Sequence, residues 1–468
     1  MRRTRILSTL GPASDGPGTI AALIDAGVDA FRLNFSHGTR EGHAAVCARI
    51  REAAARAGRH IAVLQDLSGP KIRVGALAQP IDLRAGEPLT IALDPGAGAP
   101  PGKNVVTTSF EALFTSIEKG MRLLLDDGAI ELEVTGTDAD RVETRVTVGG
   151  QLQSHKGINV PGALVRTPAL TPKDRLDLGA GIAMGVDMVA VSFVQSAADM
   201  RDAREAAVAA GAPDLPIIAK IEKPHALDEL GAILDESDGA MVARGDLGIE
   251  MPLERVPAAQ KRIVQAARER GRPVIVATQV LESMRSAPRP TRAEVTDAAH
   301  AVDEGADAIM LAGETAVGKY PVEAVSTLDR ILREAERTLP ADDPIRLGPA
   351  TWSAHGHALC EAAVALAARA GADAIVAVTE GGRTARMLSA LRPHARIIAA
   401  TPAESIAARL ALHWGVLPVV TPGTTVAAVR GLLIDRGLIR KGASVVFVSM
   451  DADLGREDAN YVHVEKTR

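Results

Sequence analysis

Three short segments concentrate charge where the surrounding chain is apolar: Lys220-Ile-Glu222-Lys223, Arg244-Gly245-Asp246 and Asp66-Leu-Ser-Gly-Pro-Lys71-Ile-Arg73. Each follows a run of small or branched aliphatic residues, and charge at the end of such a run is costly unless it is paired or used. Lys220 precedes Glu222 by two positions, so an extended backbone turns both to one face. Glu222 and Asp246 close successive apolar runs. Neighbouring strands lie about 4.8 Å apart, so the two carboxylates can reach one cation. Mg²⁺ takes one or two carboxylates and completes its shell with water and substrate phosphate, which fits this pair better than the His and Cys sets that hold Zn²⁺. The plainer reading pairs each carboxylate with Lys220, Lys223 or Arg244 as structure alone; two carboxylates at adjacent strand ends weigh against it. An ammonium beside them can neutralise a phosphoryl group in transit or stabilise an enolate oxygen. Arg244-Gly245-Asp246-Leu-Gly248 reads as the start of a short helix or turn, whose free N–H groups suit a substrate carboxylate.

These residues need a scaffold, and the chain supplies one. Apolar runs recur at Thr4–Thr9, Ala30–Phe35, Ile61–Asp66, Met188–Phe193, Ile217–Ile221, Ala240–Ala243, Val274–Thr278 and Ala308–Leu311, with helical stretches and small-residue turns between them. Eight βα units predict an α/β fold of the (β/α)8 TIM-barrel type, with chemistry at the carboxyl ends of the strands. After the third run the next strand is delayed by far more than a loop. The delay alternates polar and apolar residues, as in Glu131-Leu-Glu-Val-Thr135, and contains the Gly/Pro-rich stretch 94–102. It predicts an inserted small β-barrel domain at 70–170, hinged at Ser68-Gly69-Pro70 and Leu170-Thr171-Pro172. The barrel then comprises 1–69 and 171–338. A polar stretch, Leu339-Pro-Ala-Asp-Asp-Pro344, opens a C-terminal α/β sheet domain at 339–468, with apolar runs at Ala374–Val378, Arg396–Ala400, Leu417–Val420 and Ser444–Val448.

Bulk properties bound the function. The 468 residues allow about three domains. A net charge of −5 with no long basic block argues against nucleic acid as a partner. The N-terminal segment has no long apolar core and no run is long enough to span a membrane, so neither secretion nor a membrane partner is expected. Cys47 and Cys360 are far apart and read as idle thiols in a reducing, cytoplasmic setting.

The ordered set of motifs resembles the pyruvate kinase family. It runs through Ser8-Thr-Leu-Gly-Pro-Ala-Ser14, Arg32-Leu-Asn-Phe-Ser-His-Gly38, Gly69-Pro-Lys-Ile-Arg73, Lys156-Gly-Ile-Asn-Val-Pro-Gly162 and Ala219-Lys-Ile-Glu222. It continues with Met241–Gly248, Ala277–Met284, Pro290–Asp297 and Gly313-Glu-Thr-Ala316. The resemblance implies a Mg²⁺-dependent enzyme, with Mn²⁺ as a substitute, that moves a phosphoryl group from phosphoenolpyruvate to ADP to give pyruvate and ATP. It implies Lys220 and Thr278 as catalytic residues and Glu222 and Asp246 as metal ligands. Arg32, Lys220, Gly245, Asp246 and Thr278 would contact phosphoenolpyruvate, and Asn34, His37, Arg73 and Lys173 the nucleotide. The insert would be a lid that excludes water, and the assembly a homotetramer in the cytoplasm.

The chain also departs from the family pattern. Asn34, Ser36, Asp66 and the carbonyl of Leu67 match a site that holds K⁺ in many members, which carry Thr, Lys and Glu where this chain has Leu67, Ser68 and Lys71. The resemblance at these three positions is to the K⁺-independent type, and the Lys71 ammonium is expected to supply the missing charge. Ala312 stands where many members have a Ser of a proton-delivery network, leaving Thr278 and water as the expected route. Thr379-Glu-Gly-Gly-Arg383-Thr384 matches an allosteric phosphate loop. Glu380 and the acidic stretch 451–458 make fructose 1,6-bisphosphate a poor effector. A sugar or nucleotide monophosphate held by Thr379, Arg383 and Thr384, or a turn with no ligand, are the two readings left. Two rival functions share parts of this pattern: a Mg²⁺-dependent aldolase or lyase, which would not need Arg73, Lys173 or the insert, and a catalytically silent metabolite sensor, against which Lys220, Glu222, Asp246 and Thr278 argue.

Overall fold

A computed structural model describes residues 2–94, 104–163, 165, 167–338, 354–451 and 460–467. The Gly/Pro-rich stretch from 95, the polar stretch at 339–344 and the acidic stretch from 452 lie outside the described residues.

Eight parallel strands close a barrel: Arg5–Thr9, Ala30–Asn34, Ala62–Asp66, Met188–Val191, Ile217–Ile221, Gly239–Ala243, Val274–Ala277 and Ala308–Leu311. Their outward residues pack on the helices around the Ile6, Val63, Ile217 and Val274 core. Their inward residues form a second cluster through Leu7, Leu64, Met188, Ile218, Met241 and Met310. The period of two then fixes the mouth: Leu64 is followed on the same face by Asp66, Ala190 by Ser192, and Ile218 by Lys220. The apolar lumen thus ends in a polar layer at the carboxyl ends. The fourth strand stops at Val191, short of the expected Phe193, because Phe193 takes φ +56° and turns its N–H toward Glu222.

The insert leaves the barrel at Gly69, whose φ is +66° and where a Cβ would lie 2.7 Å from the Phe193 ring. Only glycine fits that backbone without strain. The insert holds a mixed six-stranded sheet and a two-stranded ribbon around its own apolar core of Val74, Leu89, Leu123, Leu132 and Val146. The strand Arg141–Val148 alternates exposed and buried residues over most of its length, as the sequence pattern requires. The chain returns through a capping box in which Thr171 and Asp174 start the helix Pro172–Ala183.

The C-terminal sheet has Ala374–Val378 at its centre, with apolar clusters on both faces. Its fifth strand, Tyr461–Lys466, is antiparallel to Ser444–Ser449 and was not expected from sequence. Leu412 of this domain plugs the barrel floor, and the Arg5 Nε donates to the His413 carbonyl at 2.8 Å. Cys47 and Cys360 are buried and unbridged. Among the described residues no helix is long and apolar enough to cross a membrane.

Candidate active site

The polar layer at the barrel mouth is built around Lys220. Its Nζ lies 2.8 Å from Glu222 Oε1 and 3.1 Å from Asp66 Oδ1, and donates to Ser192 Oγ at 2.6 Å. Asp66 accepts from Arg32 Nε at 2.6 Å, and Arg32 Nη1 donates to Thr9 Oγ1 at 3.2 Å. Glu222 is buried and its Oε2 accepts from the Phe193 N–H at 2.7 Å. Burial works against the Lys220 charge, but Asp66 and Glu222 outweigh it and hold the ammonium above its ordinary value. Burial likewise opposes the Asp66 charge, and Lys220 and Arg32 bring its carboxyl below the usual range. Glu222 goes the other way: burial raises it, Lys220 pulls it down, and the neighbouring Asp246 raises it again. Glu222 and Asp246 therefore lie close enough to repel, and a divalent cation between them would relieve that repulsion. Their all-oxygen donor set suits Mg²⁺, with water and substrate filling the remaining positions.

Sequence reasoning missed Ser192. In the sequence it lies inside an apolar run, and its parity with Ala190 is the signal that it faces the lumen. Its hydroxyl donates to the Leu67 carbonyl at 2.7 Å and lies 3.3 Å from Asp66 Oδ1.

On the other side of the mouth, Thr278 takes φ +69° and Gln279 φ +51°. Thr278 Oγ1 donates to the Ala277 carbonyl at 2.7 Å and accepts from the Gly245 N–H at 2.7 Å. A Cβ at Gly245 would sit 3.3 Å from that hydroxyl, tighter than an ordinary contact. Arg244 and Asp297, whose pairing the sequence does not show, form the frame behind it. Arg244 donates to the Thr278 carbonyl from Nε at 3.2 Å and Nη2 at 2.8 Å, to the Gln279 carbonyl at 3.2 Å, and to Asp297 Oδ2 at 2.6 Å. Glu314, fully buried, accepts from the Leu281 N–H at 2.9 Å and the Ala312 N–H at 2.8 Å, tying the seventh and eighth strand ends together.

The nucleotide-side residues are gathered less tightly. Asn34 Oδ1 accepts from the Ser36 N–H at 3.1 Å, forming the turn that carries His37. The His37 ring is held below its ordinary value by partial burial and by Arg73, Arg32 and Lys71, so three cations act on one spot. Arg73 donates to the His155 carbonyl at 3.0 Å. Lys173 lies 2.5 Å from Asp177 Oδ2 and donates to the Phe35 carbonyl at 2.9 Å. Lys71 is paired with Asp127 of the insert at 3.3 Å rather than with Asn34, Ser36 or Asp66. The Leu67 carbonyl is occupied by Ser192. The insert also reaches the barrel through Asn159, which donates to Glu250 Oε1 at 2.8 Å, and Glu250 pairs with Lys223.

Far from the mouth, a cavity of about 670 Å³ lies between the barrel floor at Met188 and Ile218 and the turn at Thr379–Gly382. Thr379 Oγ1 accepts from the Gly382 N–H at 3.0 Å. Arg383 lines the cavity; the Thr384 hydroxyl is buried and outside its lining.

Residues 1–325 match the family model for the pyruvate kinase barrel domain, and residues 357–465 that for the pyruvate kinase alpha/beta domain. A pyruvate kinase of Agrobacterium vitis is 46% identical over 426 residues, covering 89% of this chain and 86% of the relative. One of Mycobacterium intracellulare is 41% identical over 471 residues, covering 99% and 98%. The crystal structure of a pyruvate kinase from Cryptosporidium parvum superposes with a TM-score of 0.90 at 33% identity, covering 100% of this chain and 96% of that one.

Proposed function

The chain belongs to the pyruvate kinase family, and we propose that it transfers the phosphoryl group of phosphoenolpyruvate to ADP at the barrel mouth, giving pyruvate and ATP. The observation that carries this reading is the protonated Lys220 set against Glu222 and Asp66, with Arg32 beside it and the positive field of Arg73 and Lys71 under the insert.

In the reaction an oxygen of the ADP β-phosphate attacks phosphorus, the bond from phosphorus to the enol oxygen breaks, and the electron pair stays on that oxygen. It then returns through the double bond to take a proton at the methylene carbon. Lys220 neutralises charge on the phosphoryl oxygens in flight and on the enolate. Asp66 and Ser192 pre-align it, so little reorganisation is needed as the charge moves. Glu222 and Asp246 would hold Mg²⁺, which supplies further neutralisation of phosphoryl charge when bound; Mn²⁺ suits the same oxygens. Arg32 reaches the phosphoryl group, and Gly245, Asp246 and Thr278 border the carboxylate and methylene end. With Ala312 offering no hydroxyl, Thr278 and water carry the proton. Asn34, His37, Arg73 and Lys173 face the nucleotide, and the insert limits hydrolysis by excluding water. The cations around His37 and the insert above them favour this reading over an aldolase.

Lys71 makes the reaction independent of K⁺. The Thr379–Arg383 turn is either a turn with no ligand or a site for a phosphate ester other than fructose 1,6-bisphosphate. The enzyme works in the cytoplasm as a homotetramer. The direct test is pyruvate formation from phosphoenolpyruvate and ADP with Mg²⁺ in buffer free of K⁺ and NH₄⁺. A substantial rate is expected; silence both with and without K⁺ would overturn the kinase reading.

A further inference from the structure

Two consecutive residues with side chains, Thr278 and Gln279, stand in the left-handed region at φ +69° and +51°. A β-branched residue there is a genuine outlier and persists only where the surroundings impose it. Arg244 supplies the side-chain hydrogen bonds to both carbonyls of this turn, while the Gly245 N–H holds the Thr278 hydroxyl and Glu314 the Leu281 N–H that follows. The Arg244 guanidinium donates twice to the Thr278 carbonyl and once to the Gln279 carbonyl, and its Nη1 donates to Asp297 Oδ2 at 2.6 Å and, more weakly, to Gln260 Oε1 at 3.4 Å. Asp297 sits one turn into the helix Arg292–Asp303, which a capping box of Thr291 and Glu294 starts. Glu294 also accepts from the Ser283 N–H at 2.7 Å, so the helix and the loop after the seventh strand are fastened at two points. Arg244 is adjacent in sequence to Gly245, whose N–H donates to Thr278 Oγ1. One residue therefore braces both the backbone and, through its neighbour, the hydroxyl direction of Thr278.

We propose that Arg244 is a positioning residue for enolpyruvate protonation: with Asp297 it holds the left-handed turn at Thr278–Gln279 and so fixes where the Thr278 hydroxyl points. The inference rests on the reading that Thr278 borders the methylene end of the substrate. The rigid five-donor fork of arginine is what the geometry uses, because lysine keeps the charge but cannot serve two carbonyls and a carboxylate at once.

The test compares Arg244→Lys, Gln279→Gly and the double variant. Gln279 is exposed, and glycine adopts its φ without support. Two rates are read: overall turnover, and exchange of pyruvate methyl protons with solvent deuterium in the presence of Mg²⁺ and ATP. Arg244→Lys is expected to lower kcat at least tenfold, to lower exchange by as much or more, and to leave the KM for ADP within twofold. Adding Gln279→Gly is expected to restore at least a third of the lost exchange rate. Arg244→Lys with the parent's exchange rate would overturn the proposal. So would a loss that Gln279→Gly leaves untouched, since Arg244 would then act through its charge or its fold-wide contacts. If the parent chain itself makes no pyruvate from phosphoenolpyruvate, the failure belongs to the functional reading and not to Arg244.

Discussion

The Lys220 ammonium lies 2.8 Å from Glu222 Oε1, so the group assigned to the transferring phosphoryl and a carboxylate assigned to the metal share one contact. Without substrate, Lys220 acts as the counter-ion of a buried carboxylate, which would otherwise be expensive. On the proposed assignment, Asp66 and Ser192 would still hold the ammonium if Glu222 turned to a bound cation.

Lys220→Met keeps the stem and removes the charge. Its kcat should fall by about 10²–10³-fold, the usual cost of deleting one pre-aligned stabilising donor. Phosphoenolpyruvate binding, measured by calorimetry with Mg²⁺ present, should weaken far less than kcat. An unchanged kcat would remove Lys220 from the chemistry, and equal losses in binding and rate would make it a binding residue only.

Lys71 is paired with Asp127 at 3.3 Å, yet its field reaches His37. A unit charge about 4 Å from a phosphate is worth about 1–4 kcal/mol between water and a protein surface. Lys71→Glu should therefore cut the rate in K⁺-free buffer by at least tenfold, and saturating K⁺ should restore most of it. The parent enzyme should gain less than tenfold from K⁺. A larger gain would show that Lys71 does not stand in for the cation.

At the C-terminal turn, Glu380 adds a carboxylate to the cavity and Arg383 is exposed. Fructose 1,6-bisphosphate should leave the phosphoenolpyruvate saturation curve nearly unmoved. Glu380→Ser should raise affinity for a phosphate ester by about fivefold, the worth of one unfavourable charge of about 1 kcal/mol. A strong shift of the curve by micromolar bisphosphate in the parent would contradict the reading of this turn.

The barrel strands were legible because each is buried on both faces and appears as a compact aliphatic run, and Lys220 and Asp66 stood out as charges within that pattern. Ser192 did not, since a small polar residue in such a run carries no signal until its parity is set against its neighbours across the barrel. Arg244 and Asp297 lie 53 residues apart in sequence but within one ion pair in space, a relation that only closure of the barrel creates. Tyr461–Lys466 escaped because it pairs antiparallel at a sheet edge and is only partly covered. The place of Lys71 could not be read because it depends on how the insert sits, and its partner Asp127 belongs to the insert's own turn.

His413 sits where the C-terminal domain meets the barrel floor, next to the Leu412 plug, and its ring is enclosed there. Enclosure, then Arg386, drives its proton affinity down; the Arg409 carbonyl acts the other way, and Arg5 and Arg392 add to the depression, leaving a pKa of about 3. In the unfolded chain the same ring takes a proton near pH 6.5. The folded state therefore binds fewer protons than the unfolded state between about pH 6.5 and 3, so stability falls as pH falls through that window. Each unit is worth about 1.4 kcal/mol, so at pH 5 the penalty is about 2 kcal/mol. His413→Gln cannot take the proton. Its urea-unfolding free energy, followed from pH 7.5 to 5, should decline about 2 kcal/mol less than that of the parent, with the two curves parallel above pH 7. Parallel curves throughout the range would mean that the ring is protonated in the folded protein, and that water or an anion reaches the domain boundary and neutralises it there.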